Sequence, residues 1–244
     1  MLREKLSDGV KLRIRGALAK VGIEIGAYAG SFAEHRALLI RRRRVQTVWD
    51  VGAHLGQYAL QLQSHGYVGH IISIEPSQVA FRALAARTAR SETWTALSVA
   101  IADVIGEGML NLAGNGQSSS LLPMSERHRA ASPGSRYVGA QRVMTTTLDT
   151  LEDTITPPPP YFVKLDLQGG EMRALLGAAS VLRSAVGCEI ELSLTELYQG
   201  GASWQEVIAQ LATAGFVICD LERVFFDPAS GDLLQVNALL ERPT

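Results

Sequence analysis

Two short stretches of the chain place chemistry-bearing side chains at the ends of apolar runs. The first is Val48-Trp49-Asp50-Val51-Gly52-Ala53-His54-Leu55-Gly56. An apolar strand runs into Asp50 and then into a turn marked by Gly52 and Gly56. About twenty residues later Ile71-Ile72-Ser73-Ile74 ends in Glu75-Pro76. A strand, a glycine turn, a helix and a second strand with a terminal acid make a nucleoside half-site, in which the acid accepts hydrogen bonds from ribose hydroxyls. The turn reads Asp-x-Gly-x-x-x-Gly. A pyrophosphate needs the tighter Gly-x-Gly-x-x-Gly loop at a helix N-terminus. A carboxylate in the turn suits a cofactor with a cationic amino-acid tail, which points to S-adenosylmethionine before NAD.

The second stretch is Lys164-Leu165-Asp166-Leu167-Gln168-Gly169-Gly170-Glu171. Lys164 and Asp166 alternate on a strand and so share one face. Lys164 lies toward the buried sheet, where a charge needs a partner; Asp166 and Glu171 are the candidates. Asp166 sits at the strand end and reads as a functional acid. Glu189 and Glu191 share a face of a later strand. With Asp166 they can bind a hard divalent cation such as Mg²⁺, through Asp166 and Glu191, or pair with arginines. His54 and His128 are candidate bases for a substrate hydroxyl.

The elements that must position these groups follow from periodicity. Strands are expected at Thr47–Val51, Ile71–Glu75, Ala96–Ile101, Tyr161–Leu165 and Gly187–Leu192. Helices are expected at Gln57–Gly66, Val79–Ala89, Gly170–Leu182 and Ser203–Ala214. This βαβ rhythm predicts a parallel sheet buried on both faces. Phe216–Leu221 and Leu233–Leu240 flank a turn and should pair antiparallel. Residues 106–148 break the rhythm with glycines and serines around a short strand at Met109–Leu112 and a returning strand at Val143–Thr147, and a long irregular insertion over the crevice suits a substrate site or lid. Ligands bind outside the carboxyl ends of such strands. Ile101, Ala102 and Asp103 at the third strand end therefore join the candidates.

At 244 residues the chain accommodates one domain with an appended segment. Residues 1–44 carry eleven Lys/Arg and four Asp/Glu, whereas residues 45–244 carry twelve and twenty. A basic helical segment over 1–44, with a helix at 2–21, thus precedes an acidic body over 45–244. The run Arg41–Arg44 reads as a solvated helix end or as attraction to an anionic surface, so peripheral membrane contact is one expectation and a homodimer another. The net charge of −1 supplies no global field for nucleic acid. Cys188 and Cys219 lie in apolar runs and are expected as buried free thiols, which with no membrane-length apolar run favours a cytoplasmic location.

The chain resembles the FkbM-type family of S-adenosylmethionine-dependent methyltransferases across roughly residues 46–242. Val48–Tyr58 is similar to the family's Asp-x-Gly-Ala-x-x-Gly-x-Tyr block, Ile74-Glu75-Pro76 to its second-strand end, and Phe162–Glu171 to its Lys-x-Asp-x-Glu-Gly-x-Glu block. Gln168 departs from the pattern, since an amide stands where the family usually has Glu. The resemblance implies a Rossmann-like class I α/β fold, with a seven-stranded, mostly parallel sheet and an antiparallel final hairpin. It implies O-methylation of a hydroxyl on a sugar, glycolipid, polysaccharide or polyketide. It also implies Asp50, Gly52, Ala53, Gly56, Tyr58 and Glu75 around the cofactor, with Ala102, Asp103 and Ser119 beside the adenosine. Methyl transfer is an in-line displacement that depends on positioning. A base or metal handles the hydroxyl proton, with Asp166 foremost and His54 and Lys164 beside it. Two other readings are a nucleic-acid methyltransferase gripping through the basic segment, and a non-catalytic module that kept the fold.

Overall fold

The chain is described here by a computed structural model covering residues 30–243; the expected helix at 2–21 lies outside the described residues. Phe32–Thr244 forms one compact unit. Helix α1 (Phe32–Arg42) belongs to it, on the N-terminal side of the boundary expected between residues 44 and 45. Burial is the reason. Phe32, Leu39 and Ile40 pack into the core, and Arg36, 3% exposed, donates to both carboxylate oxygens of Glu189. Of the four consecutive arginines, Arg42 and Arg43 bind Glu241 of the body.

The first half then runs β1 (Thr47–Val51), α2 (Gln57–Ser64), β2 (His70–Ile74), α3 (Gln78–Thr88), β3 (Trp94–Leu97) and β4 (Ala100–Ile101). The insertion supplies β5 (Gly106–Ala113), α4 (Glu126–Ala131) and β6 (Tyr137–Thr146). The second half runs α5 (Leu148–Ile155), β7 (Tyr161–Leu165), α6 (Glu171–Leu176), α7 (Ala179–Ser184), β8 (Ala185–Ser193), α8 (Trp204–Thr213), β9 (Val217–Phe226) and β10 (Leu233–Glu241). The large sheet has seven strands in the order β3-β2-β1-β7-β8-β10-β9. Only β10 runs antiparallel, against both β8 and β9. This is the expected α/β architecture, a mostly parallel sheet closed by an antiparallel hairpin.

The strands of the central pair, β1 and β7, are buried along their whole length. Each side chain therefore meets one of two helical layers. Trp49, Val51, Val163 and Leu165 face Leu175, Val181 and Leu211 of α6, α7 and α8. Val48 and Phe162 face Leu39, Leu62 and Leu84 of α1, α2 and α3. The second face also carries a polar row. Ser73, Asp50, Lys164 and Glu189 are register neighbours across four adjacent strands. Neighbouring strands lie about 4.8 Å apart, so these side chains stand shoulder to shoulder.

Three expectations are corrected. The strand foreseen at Ala96–Ile101 is divided: β3 closes the large sheet, whereas β4 pairs with β6 in a second sheet. The insertion is ordered, since β5 and β6 form a long antiparallel pair in that three-stranded sheet. The helix foreseen at Gly170–Leu182 breaks at Gly177, where a Cβ would stand 2.5 Å from the carbonyl oxygen of Ala102. Cys188 is buried as expected, but Cys219 is only half-buried; both thiols are free. Among the described residues no helix is long and apolar enough to cross a membrane.

The Arg36–Glu189 pair fastens α1 to the sheet. Breaking one side of a buried ion pair strands the other charge and costs about 3–5 kcal/mol. Urea unfolding of Arg36→Ala should show a loss of that order, partly recovered in Arg36→Met/Glu189→Met. A loss below about 1 kcal/mol would show that α1 is not held this way.

Candidate functional site

The site forms where β1 and β7 end side by side. Gly52 follows β1 with φ 78°, and a Cβ there would lie 1.8 Å from the backbone oxygen of Asp166. Only glycine allows the two chain segments to meet so closely. Lys164 binds them from beneath. Its Nζ donates to the carbonyls of Gly52 at 2.8 Å and Val51 at 3.3 Å, and lies 3.5 Å from both Asp50 and Asp166. Burial lowers the affinity of its amine for a proton, but Asp166 and Asp50 foremost outweigh that and hold the group above the usual lysine range. Lys164 is thus a buried cation with carboxylate partners on two sides.

Glu171, expected as a partner of Lys164, does something else. Its Oε1 accepts the backbone N–H groups of Leu167 and Gly169, so it shapes the turn that carries Gln168. Burial pushes its carboxyl up to about 7, against the pull of those two bonds.

A cavity of about 680 Å³ opens above this junction, within the range of small-molecule sites. One arm lies over β1 and β2, lined by Gly52, Ala53, His54 and Glu75 with apolar walls from Pro76, Ile101 and Leu110. Glu75 is 7% exposed; its oxygens accept N–H bonds from His54 at 2.8 Å and Ser77 at 2.7 Å. It therefore also serves the start of α3, the plainer role for an acid in that position. Burial raises its carboxyl, and the two N–H bonds oppose the shift. His54 has φ 48°, and its Nε2 lies against Gly116 of the insertion. Burial lowers the proton affinity of its ring and Asp166 opposes this.

The other arm lies over β8, β10 and β9, lined by Glu191, Gln235, Asn237 and Glu222, with Tyr58 and Arg36 at its base. The Tyr58 hydroxyl donates to Glu189 at 3.0 Å. Asp166 and Gln168 stand between the arms. His128 also lines the cavity, packed between the rings of Tyr198 and Phe225, and burial lowers its proton affinity to about 4.

Several expected residues sit elsewhere. Asp50 is fully buried beneath the turn, bonded by Ser73 at 2.8 Å, and does not line the cavity. Gly56 packs against Leu84 and Trp94 at the start of α2. Ala102 is buried, and Asp103 is held by Arg173 at 2.7 Å, outside the cavity lining. Ser119 lines the cavity, but its hydroxyl accepts from Ala113 N–H and donates to Gly116 O. The proposed metal pair is corrected as well. Gln168 Nε2 donates to Asp166 Oδ1 at 2.7 Å and to Glu191 Oε2 at 2.8 Å, so an amide stands where the cation would. Among the described residues no group of three His, Cys, Asp or Glu gathers to hold a metal. Mg²⁺ does not fit this arrangement.

A nucleoside with a cationic tail does fit the first arm. Glu75 lines the cavity with a carboxylate, apolar walls suit an adenine, and Asp166 would stand at the reacting end. Sequence reasoning missed Arg36, Tyr198, Gln235 and Asn237. Gln235 and Asn237 left a readable signal: two amides at alternate positions of an otherwise apolar strand.

A family model described as Methyltransferase FkbM domain matches residues 50–218. Similar solved structures include an O-methyltransferase from Bacillus cereus in complex with SAH, 9% identical, covering 98% of this chain and 93% of that one at TM-score 0.48. A putative O-methyltransferase from Klebsiella pneumoniae is 8% identical, with 99% and 93% covered at 0.48. An rRNA methylase from Streptococcus thermophilus is 9% identical, with 89% and 100% covered at 0.48. No curated protein matches the chain.

Glu171 gives a pH signature. Its folded value of about 7 lies above the ordinary 4.5, so the native state binds the extra proton between them. Its contribution is fully present below the lower value and is lost as pH rises through the upper one. Glu171→Gln cannot ionise. Its stability relative to wild type should rise by about 3 kcal/mol from pH 4 to pH 8 in urea unfolding. A difference that stays flat with pH would contradict the assignment.

Proposed function

The chain belongs to the FkbM methyltransferase domain family, and from that premise we propose that it is an S-adenosylmethionine-dependent O-methyltransferase. Its acceptor in this reading is a hydroxyl of a sugar, glycolipid, polysaccharide or polyketide. The observation that supports it is the row of acids and amides beyond Asp166. Glu191, Gln235, Glu222 and Asn237 line the same cavity as Glu75. Carboxylates accept from hydroxyls, and amides both donate and accept, so the row suits a polyhydroxylated molecule. The balance of charge points the same way. Glu75, Asp166, Glu189, Glu191 and Glu222 outnumber Arg36 and Lys164 in the lining. Phosphate-rich nucleic acid requires the opposite sign.

The sulfonium of the bound cofactor supplies an activated methyl group. Everything else falls to the chain. Glu75 holds the ribose, while Pro76, Ile101 and Leu110 enclose the base. Lys164 holds Asp166 at the junction of the arms through their 3.5 Å ion pair. Asp166 orients the acceptor hydroxyl and accepts its proton. Holding hydroxyl and methyl in line is the larger effect, since positioning alone supplies several kcal/mol.

Methyl transfer from labelled S-adenosylmethionine to a panel of sugars, glycolipids and polyketides tests the reading; cofactor binding without transfer to any hydroxyl would overturn it. Two variants separate the arms. Glu75→Ala removes a buried charged acceptor and should weaken SAH binding by about 30-fold or more in calorimetry. Asp166→Asn should bind SAH within about threefold of wild type yet lose about 100-fold in turnover. Equal SAH affinity in Glu75→Ala and wild type would refute the ribose role.

A further inference from the structure

Asp166 and Glu191 each place a carboxylate oxygen within 2.8 Å of one nitrogen, the Nε2 of Gln168. Two carboxylates this close repel unless a proton, a cation or a donor lies between them. Here the donor is a neutral amide, and each of its capacities is taken up. Its two N–H bonds serve the two acids, and its Oε1 accepts the hydroxyl of Tyr198. The backbone is held too. Gln168 has φ 53°, and its carbonyl accepts from Ser120 Oγ at 2.8 Å. Gln235 Nε2 supplies Glu191 with a second donor at 2.7 Å.

We propose that Gln168 is a positioning residue that takes the place of a divalent cation, bridging Asp166 and Glu191 so that the site works without a bound metal. This inference rests on the O-methyltransferase reading of the same cavity. A carboxamide has two N–H donors and one acceptor oxygen, which match Asp166, Glu191 and Tyr198 one for one. No other side chain of this size meets all three demands. A carboxylate at the same position would gather three acids and a tyrosine hydroxyl around one point. That is an oxygen set suited to a hard cation. The exchange of one NH₂ for one oxygen therefore decides between an amide bridge and a metal site.

Mn²⁺ titration followed by electron paramagnetic resonance tests this on SAH-loaded wild type, Asp166→Asn and Gln168→Glu. Wild type and Asp166→Asn should bind Mn²⁺ alike, because wild type has no site that depends on Asp166. Gln168→Glu should gain a site at least about tenfold tighter than any in wild type. Mn²⁺ binding in wild type that Asp166→Asn abolishes would overturn the proposal, as would a folded Gln168→Glu with no new site. Should Gln168→Glu fail to fold, the comparison of wild type with Asp166→Asn decides alone: equal binding supports the bridge and Asp166-dependent binding removes it. SAH affinity of wild type, read in the same samples, reports separately on the cofactor reading.

Discussion

A buried ammonium organises this molecule. Lys164 sits in the middle of a polar row that crosses the sheet from Ser73 through Asp50 to Glu189. Charges inside a sheet are costly unless each finds a partner. Here signs alternate along the row, and Arg36 closes its far end from helix α1. Trp94 closes the near end by donating to Ser73. The row explains why helix α1 belongs to the body and why Tyr58, at 5.6 Å from the ammonium, stands over it. Removing Lys164 would leave Asp50 without its cation, and removing Arg36 would leave Glu189 without its guanidinium partner.

The same ammonium fixes the mouth of the crevice. Its bonds to the carbonyls of Val51 and Gly52 hold the turn after β1, and its contact with Asp166 holds the end of β7. The close approach of Gly52 to Asp166 follows. Because β7 lies between β1 and β8 in the sheet, Asp166 divides the cavity. The arm on the β2 side sets apolar walls around Glu75 and His54, whereas the arm on the β8 side is rich in acids and amides. A nucleoside with a cationic tail and a polyhydroxylated acceptor would meet at that division, which is the geometry an in-line transfer requires.

Much of this was legible from residue order. Thr47–Val51 and Tyr161–Leu165 emerge residue for residue, because short, mostly apolar runs bounded by turn formers have little freedom. Glu75, Lys164 and Asp166 were marked by their positions at strand ends and do meet at the cavity. Of the second sheet only fragments were legible, Met109–Leu112 within β5 and Val143–Thr147 at the end of β6, and neither their length nor their pairing. Glycines at 106, 108, 114 and 116 resemble a loop, and β6 shows solvent to half its residues, which weakens the apolar signal. Asp103 was misplaced for a local reason: Arg173 holds its carboxylate outside the lining, although Ile101 two residues earlier stays in it. The role of Gln168 was hidden because Glu191, Tyr198 and Ser120 lie far from it in the chain, whereas Glu171 serves the N–H groups of its near neighbours Leu167 and Gly169.

A crystal structure of the protein with SAH decides whether the two arms divide the work between cofactor and acceptor. The ribose hydroxyls should lie within hydrogen-bond distance of Glu75, the adenine against Pro76 and Ile101, and the sulfur turned toward Asp166. SAH bound in the other arm, or with its ribose away from Glu75 and its sulfur turned from Asp166, would contradict this division.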